Sequence, residues 1–443
     1  MKIRILTAGV AAATLVVGLA GCAGDSSAGT AGGGGSEGGF EGTTLTYWAT
    51  NQGASLEQDA EILQPELDKF EEQTGITVEL EVIPWTDMTN NTLAAAVSGQ
   101  GPDVVNIGNT NATTFQTTGA FMPFDDEALK TLGGEDHFVD SAFGTAGPPG
   151  SPVTSIPLYS QVYALFYNKQ MFADAGLEPP ATWEDLVSVA QTLTDPAAGT
   201  WGISVPAGTV NNNMHMSFIF TEQNGGSPFD DEGNPTFTTD EMVTGVKQYV
   251  DLMSEYGVTP PGTVEYTSGT QSAQDFATGK FGMYFGQTSA TSVLATNGMD
   301  PDQYGIVHVP WPEGGEEIGS FVAGTNISIF ASSKKQDAAL EFVKFMTSED
   351  EQLILNKAYG TLPAVEGVEA AAFESDPEKL EQWQDILANY AKPLPLVPNV
   401  SAFQANVGTA VVGLFSKAAT GEKVSEDDVR AAMVEAEQKM ATG

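Results

Sequence analysis

The 443-residue chain carries 58 acidic against 17 basic residues, a formal net charge of −41, with 41% hydrophobic residues. This balance excludes nucleic acid as a general partner, since no basic patch exists to release counterions from a phosphate backbone, and it excludes charge attraction to anionic headgroups. A single cysteine rules out an intramolecular disulfide, so stability rests on buried cores, and the length predicts two or three domains.

Lys2 and Arg4 precede an apolar run, residues 5–20, that is short of the ~20 apolar residues of a membrane span and rich in Ala, Gly and Thr. The run ends in Leu19-Ala20-Gly21-Cys22, and small residues before a cut describe a secretory signal over residues 1–21. Cysteine directly after that cut resembles the bacterial lipobox. The resemblance implies lipidation of Cys22 and anchoring outside the cytoplasm at the cell membrane. Residues 23–42 are rich in Gly, Ser and Ala and bury too little to order themselves. They read as a leash averaging roughly 25 Å end to end and reaching about 70 Å.

The body opens with a strand at 44–48, then a helix over 59–72 with Ile62, Leu63, Leu67 and Phe70 on its apolar side and Pro65 as a kink or restart point. Residues 76–82 alternate as a strand with one buried face. Thr86 is positioned to cap a helix that stops at Gly99, and Gly101-Pro102-Asp103 leads into a short strand at 104–107. Strand, helix, strand, helix, strand predicts right-handed crossovers and parallel pairing. Ligands of such sheets sit beyond the carboxyl ends of the strands, which singles out the loops 49–55 and 108–114. After Pro148-Pro149-Gly150 come a strand at 162–167, a helix at 183–193 capped by Thr182, a strand at 201–205 and a helix at 214–223. Residues 229–234 carry hairpin turn chemistry before 236–238. Ala339, Phe342, Val343 and Met346 share a helix face, and Ser425 with Asp428 makes a capping box for the last helix.

Six segments then carry a resemblance: Gly101-Pro102-Asp103-Val104-Val105, the run 164–169 (ALFYNK), the run 279–283 (GKFGM), the run 338–345 (AALEFVKF), the run 360–364 (GTLPA) and Ser401-Ala402-Phe403. In this order they resemble the extracellular solute-binding proteins of carbohydrate ABC importers, the maltose-binding-protein-like family. The resemblance implies an α/β fold of two lobes, each a mainly parallel sheet flanked by helices, with the ligand cleft between them. It implies an N-terminal lobe of 43–158 plus 306–347 and a C-terminal lobe of 159–305 plus 348–443. It also implies a monomer that needs no cofactor, catalyses nothing, and hands its solute to membrane permease subunits.

Family positions place ligand contacts at Asn109, Thr110 and Asn111 in the first lobe, at Tyr159 and Gln161 before the Tyr-Asn-Lys strand, at Asn213 and His215, at Gln287 and Thr288, and at Gln404. Rings that often stack on sugars are largely replaced by amides. With Asn51 and Gln52, these amides offer the mixed donors and acceptors that sugar hydroxyls need, which points to a neutral mono- or oligosaccharide. Trp48 and Trp311 stand as candidate platforms, each at a place where a ring faces either core or cleft. A cationic solute such as a polyamine is the rival ligand, given the net charge, and a lipid-anchored glycosidase the rival class. The glycosidase needs paired carboxylates that no local motif singles out. His137, His215 and His308 lack zinc spacing, and Gly233 is misplaced for the calcium loop that Asp230, Glu232, Asn234 and Glu241 partly mimic, so no metal is expected. The style of the leash suggests a Gram-positive envelope.

Overall fold

The computed structural model describes residues 39–148 and 150–442. The signal segment, Cys22 and nearly all of the leash lie outside the described residues. Among the described residues twelve strands run in chain order: β1 (Thr43–Thr50), β2 (Ile76–Ile83), β3 (Val104–Gly108), β4 (Ile156–Gln161), β5 (Tyr163–Asn168), β6 (Trp201–Ser204), β7 (Phe281–Gln287), β8 (Tyr304–Val307), β9 (Ser320–Phe321), β10 (Ala323–Ile329), β11 (Leu362–Pro363) and β12 (Ala391–Lys392).

Six of them form one sheet in the order β11-β4-β10-β3-β1-β2, four form a second in the order β6-β7-β5-β8, and β9 pairs with β12. Alternation sorts the side chains of each sheet onto two faces. In the first, Leu45, Tyr47, Val104 and Ile329 face one core while Val105, Ile107 and the partly buried Trp48 face another. In the second, Tyr163, Leu165 and Met283 face one core, and Ala164, Phe166 and Tyr284 the other. Two helix-flanked sheets with separate cores make the two lobes that the sequence suggested.

The expected parallel pairing holds for β2, β1 and β3 and for β6 with β7. Elsewhere the pairing is antiparallel: β10 lies between β3 and β4, and β5 between β7 and β8. The sheets are therefore mixed rather than mainly parallel, because strands that return from the other lobe enter against the direction of their neighbours. Those returns also lie off the expected boundaries at 158, 306 and 347. β4 stays in the first sheet through Gln161, which pairs with Ala323, and β8 belongs to the second sheet. Leu355, Tyr359 and Val365 pack in the first core, so residues 349–365 extend that lobe.

Local signals explain most helix ends. Ser55 caps the helix Leu56–Thr74 by accepting from Gln58 N, which starts it earlier than expected, and the helix runs on through Pro65, whose exposed position tolerates a lost backbone bond. Thr86 does not cap: the helix Trp85–Ser98 begins after Pro84 without a side-chain cap, and Thr86 lies inside its first turn. Gly99 ends it at φ 65°, in the left-handed region that glycine enters without strain. Thr182 and Asp185 form the capping box of Trp183–Leu193, and Ser425 and Asp428 exchange hydrogen bonds at the start of Glu426–Thr442. The helix expected at 214–223 begins earlier, as Val210–Gln223. Asp230 Oδ1 accepts from Glu232 N and Asn234 N and makes the expected turn, but only an isolated bridge, Phe229 to Pro235, follows in place of a hairpin strand.

Candidate functional site between the two sheets

β1 leads to β2 on one side and, after the next helix, to β3 on the other. The carboxyl ends of β1 and β3, Thr50 and Gly108, thus flank the switch in strand order, and both expected loops open there. The chain leaves the first sheet at Gln161 and enters the second at Tyr163 beside them.

At this junction the Gln52 amide donates to Thr50 Oγ1 (2.8 Å) and Thr325 Oγ1 (3.2 Å), while its Oε1 accepts from Gln161 Nε2 at 3.1 Å. Gln161 is buried, and its Oε1 has no hydrogen-bond partner within the protein. Two of the expected residues, 109 positions apart in sequence, are therefore in direct contact. On the other lobe Asn212 Nδ2 donates to the Tyr163 hydroxyl oxygen (3.2 Å), which sits 3.0 Å from His215 Nδ1. Burial against Tyr163 and Phe321 holds the His215 pKa down to about 3, so the ring is neutral near pH 7. The Tyr163 hydroxyl and the neutral His215 Nδ1 share one hydrogen bond, whose direction follows the ring tautomer. Burial also pushes the Tyr163 hydroxyl pKa up, keeping it a donor.

A second line of contact runs beside the first. Asn109 Nδ2 donates to Val322 O (2.9 Å), Ser401 Oγ to Asn111 Oδ1 (2.6 Å) and Thr114 Oγ1 to Pro398 O (2.8 Å). Asn109, Thr110 and Thr145 line a crevice with Val322 and the segment 393–396.

The remaining expected residues sit apart from these groups or are engaged elsewhere. Asn51 and the backbone of Gln52 turn to the buried Asp59 carboxylate. Asn213 is fully buried, donating to Ala207 O and accepting from the Tyr249 hydroxyl, so both ends of its amide are held inside the protein. Tyr159 packs edge-on against Tyr359 in the first core. Thr288 is buried with an unpartnered hydroxyl, and Gln287 ends β7 opposite Tyr163. Gln404 Nε2 reaches Asn211 Oδ1 at 3.4 Å. Trp48 packs on the core of Phe115 and Ile107. Trp311 stacks on His308 at 4.1 Å between ring centroids, beside Tyr390.

Tyr163, Asn212, Thr325, Ser401 and Asp59 were not singled out from sequence. Asp59 had a readable signal: it shares the buried helix face of Leu63, Leu67 and Phe70, where a carboxylate needs a purpose. Among the described residues no group of three or more His, Cys, Asp or Glu can hold a metal ion, and no helix is long and apolar enough to cross a membrane.

Residues 53–353 match the family model of the bacterial extracellular solute-binding protein. The diacetylchitobiose binding protein DasA of Streptomyces coelicolor is 27% identical over 371 residues, 83% of each chain. The mannitol-binding protein of Pseudomonas aeruginosa is 28% identical over 308 residues, 65% of this chain and 69% of its own. An ABC transporter solute binding protein from Thermotoga lettingae, solved with α-D-tagatose, superposes with a TM-score of 0.77 at 23% identity, covering 90% of this chain and all of its own. Maltose-bound MalE3 of T. maritima gives 0.75 at 22%, covering 90% and 99%.

Proposed function

The chain belongs to the bacterial extracellular solute-binding protein family, a transport family that works outside the cytoplasm, and from that premise we propose that it captures a neutral carbohydrate between its two lobes and delivers it to the permease of an ABC importer. The observation that carries the ligand class is the Gln52–Gln161 amide pair, with Gln161 Oε1 buried and unpartnered in the protein, two residues before Tyr163 opens the second sheet and meets Asn212 and His215. Amides, a hydroxyl and a neutral imidazole supply donors and acceptors together, the pattern that sugar hydroxyls match on both sides of an exchange. No Lys or Arg stands among these groups to pair with a phosphate. The diacetylchitobiose, mannitol, tagatose and maltose of the similar proteins are uncharged at neutral pH, in keeping with that chemistry.

Ligand that touches both lobes favours the closed arrangement by its differential contact, since the open one offers a single lobe. A thermal-shift screen over mono- and oligosaccharides tests the reading, because ligand at about a hundred times its dissociation constant stabilises by about 2.7 kcal/mol. For the sugar so found, Gln161→Ala is expected to weaken binding by about 1–3 kcal/mol in calorimetry, the cost of leaving a buried polar partner unpaired. No shift with any carbohydrate would overturn the ligand class. The lipobox resemblance supports attachment through Cys22. Cys22→Ala is then expected in the soluble fraction of cells, and its retention in membranes would refute the anchor.

A further inference from the structure

The loop that presents Gln52 is held from below by one side chain. Asp59 is fully buried, and its carboxylate accepts from Gly53 N (2.8 Å), from Gln52 N (3.2 Å) and from the Asn51 amide. None of these donors is a Lys or Arg. Burial raises its pKa, against hydrogen bonds that lower it. Three donors converge on two oxygens, a demand that an acceptor-only group meets best, since an amide in the same place turns an N–H₂ toward N–H donors. Gly53 fits this arrangement because a Cβ there would stand 2.9 Å from Gln58 Oε1 and 3.2 Å from Asp59 Oδ1.

The same loop reaches the other lobe. Ala54 packs against the core of Phe166 and Trp383, and Gln58 Nε2 donates to Thr296 Oγ1 at 3.3 Å. Tyr359 closes the helix Glu349–Tyr359, and the next residue, Gly360, lies against Thr291 of the second lobe. Asp59 is thus fastened to the loop of the candidate site, where that loop meets the second lobe.

We propose that Asp59 is a positioning residue for ligand binding: its carboxylate clamps residues 51–53 so that the Gln52 amide meets Gln161 before ligand arrives. The clamp rests on the carbohydrate reading only where it concerns affinity. Holding the amide in place in the free protein removes an ordering cost from binding, so loss of the clamp appears as loss of affinity without any loss of a group that touches ligand.

The test uses the full chain and the near-isosteric Asp59→Asn. In the ligand-free protein, amide hydrogen exchange followed by NMR is expected to speed up at least about tenfold at Gln52 and Gly53 and to stay unchanged at Leu165 in the second sheet. With the sugar that the wild type binds, affinity is expected to fall about tenfold or more, and in a Gln52→Ala background the same substitution is expected to change affinity less than about twofold. That coupling separates positioning from a general loss of stability, which would act equally in both backgrounds. Unchanged exchange at Gln52 and Gly53, or additive affinity losses, would overturn the proposal. A wild type that binds no sugar defeats the carbohydrate reading instead, and the exchange measurement still decides the clamp.

Discussion

Glu351 shows how a single buried charge sets a pH response. Its side chain is 1% exposed and paired with Lys69, yet its Oε2 has no hydrogen-bond partner within the protein. Burial, helped by the nearby Glu66 and opposed by Lys69, pushes its pKa from 4.5 to about 7. A carboxyl whose folded pKa lies above the unfolded value binds its proton more tightly when folded. Its favourable contribution is therefore complete below pH 4.5 and is lost as pH rises through about 7. Glu351→Gln keeps the shape and removes the titration. Between pH 4.5 and 8 the wild type is expected to lose on the order of 1–3 kcal/mol relative to the variant, read from denaturant melts at several pH values. A constant difference across that range would place the titration elsewhere. His215 has the opposite shift, down to about 3, so its contribution is lost only as pH falls below 6.5.

At the scale of elements, the helix Glu349–Tyr359 ends where the lobes touch. Gly360 takes φ 67°, and a Cβ there would lie 2.3 Å from Thr291 Oγ1, which donates to Thr288 O. Gly360→Ala therefore meets both backbone strain and a clash across the junction, and it is expected to lower stability by about 1–3 kcal/mol. Thr291→Ala in the same chain removes the clash but not the strain, so thermal melts of the double variant are expected to recover part of the loss. No recovery would show that backbone strain alone is at work. Sequence left this end unread, entering 360–364 only as a motif, while it made the stop at Gly99 and the cap at Thr182 legible, because a glycine or a capping residue acts on its immediate neighbours. It misplaced the cap at Thr86, where Pro84 already fixes the entry of the helix. It also read Asp59 only as a helix residue. The donors that explain Asp59 come from the turn at residues 51–53, and helix periodicity carries no such information.

For the whole molecule, the two-lobe plan came from the order of the family-like motifs, with strand and helix order giving the α/β pattern, while the crossing points were not legible. Gln161 was singled out because it precedes a recognisable strand. Tyr163, two residues on, belongs to the same run but turns to the other lobe's helix, and only the fold pairs it with Asn212 and His215. The same scale separates charge from recognition. The chain carries 58 acids against 17 bases, yet apart from Asp59 the groups gathered at the junction are uncharged. A ligand drawn by the overall field would feel that field through the solvent. Raising salt from about 0.01 M to about 1 M shrinks the screening length from about 30 Å to about 3 Å and would weaken a cationic ligand strongly. A neutral sugar held by amides and a hydroxyl makes short contacts that screening hardly touches. Calorimetric affinity for the sugar is therefore expected to stay within about twofold across that salt range. A steep fall would mean that the net charge, rather than the Gln52–Gln161 pair and its neighbours, selects the solute, and would move the ligand class to an ammonium-bearing compound such as a polyamine.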